Sequence, residues 1–245
     1  MALKAGGRID GETLSAEDWT EADLADAVFA GCTVEGAVFA STGFAGARFE
    51  RCRLIRCRFS HADLREAVFE DCQFADPDRK TGPVFAFSRL DEARFTRCDL
   101  SQARFDGSEL YEARFESCNL MAATFPRSSF SRSFGRKVER TAADFLDCNL
   151  DLADLSEKRL TSCRLTGSRL READLSNTDL EGADLTRADL FQAIVDGAKL
   201  ASADLRGAEV SGLDLRRLAT YRDLKIAPDQ QFRLLDAMGL DVQLE

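Results

Sequence analysis

The sequence predicts an all-β solenoid, a four-sided rod of stacked coils with two projecting loops and a C-terminal capping helix. Three observations predict it: an apolar residue at every fifth position, a small residue two places before almost every one of them, and two interruptions of that register. In "LSNTDLEGADLTRADL" the leucines fall at Leu175, Leu180, Leu185 and Leu190. On an α-helix five residues advance about 500°, so successive leucines would land ~140° apart and ring the axis. On a straight strand an odd spacing sends them to alternate faces. A chain that turns a corner every five residues puts them all inside, and four such sides close one coil of 20 residues.

The register runs through most of the chain. Leu14 and Trp19 hold its frame and close the first coil; Leu24 to Phe74 then gives 11 centres, Phe85 to Phe130 gives 10 and Phe145 to Leu215 gives 15. All 36 are Leu, Phe or Val, and the residue two before is Ala, Ser, Thr or Cys in 33 of them, the exceptions being Pro83, Lys158 and Leu213. A large and a small residue therefore share the interior on each side, as close packing requires.

The breaks are equally informative. Between Phe74 and Phe85 lies "ADPDRKTGPV", whose Asp, Pro and Gly are turn formers, so a loop leaves the coil over about residues 75–84. In "SRSFGRKVERTA", Ser131 to Ala142, Gly135 and Arg140 fall on would-be centres. A buried unpartnered arginine is costly, so this segment is predicted to project as a second loop. Past Leu215 the pattern dissolves, and the repeat region is placed at 1–225 with a separate end at 226–245. There Pro228 and Asp229 start a helix, Phe232, Leu235 and Met238 share helical spacing, and Gly239 stops it. A solenoid exposes its core at both ends unless capped. The tail Leu240, Val242 and Leu244 alternates like an edge strand, so helix and strand together predict a cap and a twofold dimer contact.

Composition bounds the function. Lys plus Arg total 33 against 43 Asp plus Glu, a net charge of −10. That argues against nucleic-acid or anionic-membrane binding, which draws on Lys and Arg, and favours a basic partner surface. The start "MALKAGGRIDGETL" has no apolar signal region and no 18 apolar residues run together, so the expected location is cytoplasmic.

All eight cysteines, Cys32, Cys52, Cys57, Cys72, Cys98, Cys118, Cys148 and Cys163, take the small inward position. Cys32, Cys52 and Cys72 lie 20 residues apart and stack up one side. Zinc needs four ligands converging on one point, which a column of single thiols does not offer, so these read as reduced core residues. His61 is the only histidine and lies outward, with no second imidazole and no nucleophile–base set to join. A filled interior leaves no substrate cavity. No enzyme, cofactor, metal or small-molecule substrate is expected. Lys158 is the one charge at an inward position of regular coils, and a local bulge is expected to let its amine reach solvent.

"ADLSN", "ADLTR" and "ADLRG" resemble the pentapeptide-repeat family motif A-(D/N)-L-X-X, which implies a right-handed quadrilateral β-helix. Roughly 180 residues in register make about nine coils, a rod of about 45 Å at ~4.8 Å per coil. Two joined end to end would approach ~100 Å, with a width of about 20–25 Å, the dimensions of a short DNA duplex. The last coils, Ala143 to Leu215, carry 15 acidic and 8 basic residues.

The resemblance sharpens to the Qnr group, quinolone-resistance proteins that bind DNA gyrase and topoisomerase IV. "DCQFADPDRKTGPVF" with "RLDEARFTRCDLSQARF" is similar to the first Qnr loop and its flanks, "SRSFGRKVERTA" matches the second in place and length, and "DQQFRLLDAMGLDV" resembles the dimerisation helix. This chain departs in having about six more pentapeptides before the first loop and a strongly basic second loop. The resemblance implies a non-enzymatic protein that protects type II topoisomerases from quinolone-type poisons, its acidic rod either occupying surface that would otherwise meet DNA or dislodging the drug-stabilised cleavage complex. Candidate partner contacts are Ser131, Arg132, Phe134, Arg136, Lys137, Glu139 and Arg140 in the second loop, and Asp76, Asp78, Arg79 and Lys80 in the first. Phe232, Leu235, Met238, Leu240 and Val242 are the candidate homodimer contact. The alternative is a scaffold whose loops bind an unrelated protein.

Overall fold

The computed structural model describes residues 4–15, 19–135, 138–241 and 243. The chain winds into a right-handed, four-sided β-helix whose short parallel strands and single bridges join residues one coil apart. The first side is a seven-stranded sheet running from Arg8–Asp10 through Val28–Ala30, Arg48–Glu50, Val68–Glu70, Arg94–Thr96 and Ala113–Glu116 to Ala143–Leu146. Single bridges continue it through Arg164, Asp184 and Asp204 to Lys225. The second side opens with Thr13–Leu14, Thr33–Glu35 and Arg53–Ile55, and the third with Val38–Ala40, Arg58–Ser60 and Val84–Ala86. On the fourth, bridges run from Asp23 to Ser129 and again from Arg159 to Thr220.

The repeat's outward aspartate has a local reason. Asp99, Asp154, Asp174, Asp184, Asp204 and Asp214 each accept, through Oδ1, the backbone N–H two residues on, at 2.9–3.1 Å. The carboxylate thus satisfies an amide at the corner that the ladder leaves free, as Asx turns do. The second corner residue then adopts a left-handed conformation, as at His61 (φ 53), Gln102 (φ 57) and Arg127 (φ 56).

Inside, the predicted centres are buried, with one exception: Leu215 is half-buried and begins a 3-10 turn, Leu215–Arg217, while Leu213 fills the space before it. Phe29, Phe49, Phe69, Phe95, Phe115 and Phe145 form one stacked column with ring centroids 4.7–5.0 Å apart. Polar residues at the small inward position are satisfied by the coil before them. Ser88, Ser108, Ser168 and Thr178 donate to the carbonyls of Phe59, Phe85, Phe145 and Leu155 at 2.7–3.2 Å. The thiols of Cys52, Cys72 and Cys98 do the same to Phe29, Phe49 and Phe69 at 3.2–3.4 Å. All eight cysteines are free and buried, and the register extends the column of Cys32, Cys52 and Cys72 to Cys98, Cys118 and Cys148. Burial pushes the Cys57 and Cys163 thiols up to about 12.

No bulge forms at Lys158. Its N–H donates to Leu155 (3.3 Å) and its carbonyl accepts from Asp179 (2.8 Å), as in neighbouring coils. The wall is instead open just before it: Glu109 bridges Ser129 and Arg159 bridges Asp179, but no bridge joins Ser129 to Arg159 among the described residues. The chain has left for the second loop after Phe130, and Lys158 sits half-buried at that gap.

Both ends are closed as expected, with changes of detail. Trp19 is fully buried, its indole N–H donating to Ser15 at 2.6 Å and its ring meeting Phe39 edge-on at 5.0 Å. At the other end a 3-10 turn, Pro228–Gln230, leads into the helix Gln231–Ala237, and Gly239 (φ 75) stops it, with Leu240 N–H donating to Leu235 at 2.9 Å. The residues that plug the rod are Leu234 and Gln230, 3% and 1% exposed. The Gln230 amide donates to the carbonyls of Leu205 and Ala208, both at 2.7 Å, and accepts from Ala227 N–H at 2.6 Å. Phe232 and Leu240 stay outside, and Leu235 and Met238 are half-buried. The predicted edge strand is not formed at Leu240, while Val242 and Leu244 lie outside the described residues.

Candidate functional site

Two insertions leave opposite corners of the rod. The first departs after Phe74 on the second side and returns at Val84 on the third. Asp76 organises it. Its Oδ1 accepts the N–H groups of Asp78 (3.0 Å) and Arg79 (3.2 Å), and its backbone exchanges hydrogen bonds with Thr81 at 2.8 and 3.4 Å. With its side chain 9% exposed and Arg56 3.9 Å away, this carboxylate is engaged within the loop and its flank. Asp78, Arg79 and Lys80 are exposed. The return is tight: a Cβ on Gly82 would lie 2.3 Å from the Ser101 carbonyl oxygen, so only glycine lets the chain re-enter, and buried Pro83 takes the small inward position.

The second insertion is a β-hairpin rather than an irregular loop, with Ser131–Phe134 paired antiparallel to Val138–Thr141. It departs after Phe130 on the fourth side and rejoins at Ala143 on the first. The Ser131 and Thr141 hydroxyls meet at 2.7 Å at its base. Arg132 lies directly across from Arg140, and Phe134, two residues on, shares their face. Phe134 meets Tyr111 edge-on at 5.7 Å; Arg132 lies over both rings at 5.9 Å and Arg140 over Phe134 at 5.6 Å. Arg132 also stands 3.7 Å from Glu92, and on the other side Glu139 accepts from Arg159 at 2.6 Å. The hairpin is therefore braced against the coils on both sides. Arg136 and Lys137 lie outside the described residues.

The bracing residues Glu92, Tyr111 and Arg159 were not singled out by sequence. Their signal was the 20-residue register itself, since Glu92 and Tyr111 occupy the corner where the chain departs. At the other end, Phe232 and Leu240 are 52% and 51% exposed, leaving an apolar surface beside the cap.

Charge on the rod is less one-sided than composition implies. Many aspartates of the last coils are held by arginine: Asp144 by Arg164, Asp151 by Arg169, Asp189 by Arg171 and Asp196 by Arg217. The side-chain hydrogen bond from Arg216 draws Asp214 down to about 2. The net acidity rests on exposed residues such as Glu157, Glu172 and Glu181, which make no ion pair among the described residues. No group of three or more His, Cys, Asp or Glu among the described residues converges as a metal would need, and none of their helices is long and apolar enough to cross a membrane.

Residues 20–54, 44–76, 88–132, 148–187 and 183–217 match the family described as Pentapeptide repeats, in 8 copies. Among solved structures, the chain is similar to a trypsin-treated variant of QnrB1, a plasmid-mediated fluoroquinolone resistance protein. The TM-score is 0.68 at 25% identity, over 97% of this chain and 98% of that one. A second trypsin-treated variant gives 0.68 at 24% identity over 98% and 99%, and full-length QnrB1 gives 0.57 at 24% over 95% and 97%. No curated protein sequence matches. Repeat, coil and register agree: this chain belongs to the pentapeptide-repeat family and has the Qnr-like form of its solenoid.

Proposed function

We propose that this chain is a non-enzymatic protein that binds the type II topoisomerases DNA gyrase and topoisomerase IV and protects them from quinolone-type poisons. The observation that carries the reading is the likeness to a QnrB1 structure over 97% of the chain, at a TM-score of 0.68. The side-chain-filled interior is consistent with a role exercised through the surface. An acidic rod of duplex-like width would be drawn to a basic DNA-binding groove, with the two insertions positioning it. In this reading the hairpin residues Arg132, Phe134, Glu139 and Arg140 make one contact, and Asp78, Arg79 and Lys80 the other. Arg136 and Lys137 belong to the same proposal by sequence. The apolar surface of Phe232, Leu235, Met238 and Leu240 joins two copies at the acidic end, and the site of action is the cytoplasm.

The test is gyrase supercoiling in the presence of a quinolone, titrating the intact chain against a variant lacking Ser131 to Ala142. Rescue by the intact chain and its loss in the variant is the expected result. Neither rescue nor inhibition at any concentration would leave the rival reading, a scaffold for an unrelated protein.

A further inference from the structure

We propose that the face of the hairpin turned toward the rod is a carboxylate-binding site, and that the partner meets it with an Asp or Glu side chain. The inference rests on the reading that the hairpin is a partner contact, and it supplies the chemistry of that contact. Arg132 and Arg140 are direct cross-strand neighbours, an arrangement of like charges that destabilises a hairpin unless an anion lies between them. Both guanidinium groups are steered by one aromatic ring, Phe134, at 5.9 and 5.6 Å, and Phe134 is fixed at its edge by buried Tyr111. The pair is thus held in place before any ligand arrives, yet Phe134 and the Arg132 side chain are each 45% exposed.

The two arginines are also short of anions. Many arginines elsewhere on the rod hold close carboxylates, as Arg159 and Arg171 do at 2.6 Å and Arg206 at 2.7 Å, although Arg89 and Arg127 stand 3.6 Å from theirs. Arg132 has only Glu92, at 3.7 Å, and Arg140 has no ion pair among the described residues. Two adjacent guanidinium forks over an aromatic ring match a carboxylate that can accept from both. A nucleic acid fits less well. The chain carries −10 overall, so a polyanion is repelled where a single carboxylate on a basic protein surface is not.

The full chain, isotope-labelled at arginine side chains and phenylalanine rings, would be titrated with an acetylated tetraglutamate peptide. Tetraglutamine and a short DNA duplex serve as comparisons. The expected result is a saturable shift of the Arg132 and Arg140 Nε–H and Phe134 ring signals with tetraglutamate only, lost in Arg140→Gln and weakened in Arg140→Lys, which keeps the charge but not the fork. No saturable shift, an equal shift with tetraglutamine, or tighter binding of the duplex would each overturn the proposal. In the supercoiling assay, Arg140→Gln should raise the half-protecting concentration about ten-fold, the loss expected for a charge-assisted hydrogen bond, with no loss of melting temperature. Protection equal to that of the intact chain would overturn it. Should the intact chain protect no topoisomerase, the functional reading alone fails, and the peptide titration still decides the site.

Discussion

Gln230 closes the C-terminal end of the ladder, and exchanging it for methionine isolates what its amide contributes. Methionine keeps nearly the same volume but can neither donate to the Leu205 and Ala208 carbonyls, both at 2.7 Å, nor accept from Ala227 N–H at 2.6 Å. Each hydrogen bond is worth about 1 kcal/mol net, and each buried group left without a partner adds ~1–3 kcal/mol unless water reaches it. The site lies at the end of the rod, where water can enter, so the lower figure applies and the expected loss is about 3 kcal/mol. Each coil touches only its neighbours, so the damage stays local. Amide exchange at Leu205 and Lys225, bonded to Lys225 and Ala203, should accelerate, while exchange at Phe69 and Phe95 should not. Gln230→Glu should be worse at neutral pH, because a carboxylate then faces two carbonyls, and should recover in acid as protonation restores a donor. A methionine variant within ~0.5 kcal/mol of the parent in urea denaturation, or one whose exchange rises evenly along the rod, would show that the Gln230 amide does not hold the cap.

Three further outcomes are expected. Gly82→Ala should lower stability by about 2 kcal/mol in denaturant titration, because its methyl would meet main-chain atoms of Ser101 and Gln102 that cannot turn aside. All eight thiols should resist a thiol reagent until the chain is unfolded; Cys57 and Cys163 stay protonated in the fold to about 12, so stability should fall as pH rises above the ordinary thiol range, where only the unfolded chain ionises. Asp214, held near 2 by Arg216, contributes stability that is complete above the usual aspartate range and lost as pH falls toward about 2. Carboxyl NMR titration should show that midpoint, and Arg216→Gln should raise it toward the ordinary range.

Period and residue size made the rod legible. A five-residue repeat of large centres with small partners admits one arrangement, and Cys32, Cys52 and Cys72 sit in the column that arithmetic assigned them. The insertions were legible as departures but not as structures. "SRSF" and "VERT" alternate around Gly135 as a hairpin should, yet polar residues on both faces hid the pairing. Asp76 read as a candidate partner contact, and no sequence pattern reported that its carboxylate bonds backbone amides within its own loop. At the cap, Phe232, Leu235 and Met238 share a spacing that marks them as a candidate dimer contact, but nothing in it shows that the rod takes Leu234 and Gln230. The orientation of a helix of seven residues is set by what it covers, here two carbonyls that need a donor, and no local pattern reports that.

Binding of this rod to a type II topoisomerase through charge and two insertions is what the proposed function requires. Equilibrium binding of the purified chain to DNA gyrase, measured across a range of salt concentrations, tests it most directly. Saturable binding that weakens steadily as salt rises and is competed by duplex DNA is the expected result. Absence of binding at low salt, or binding indifferent to both salt and DNA, would contradict it.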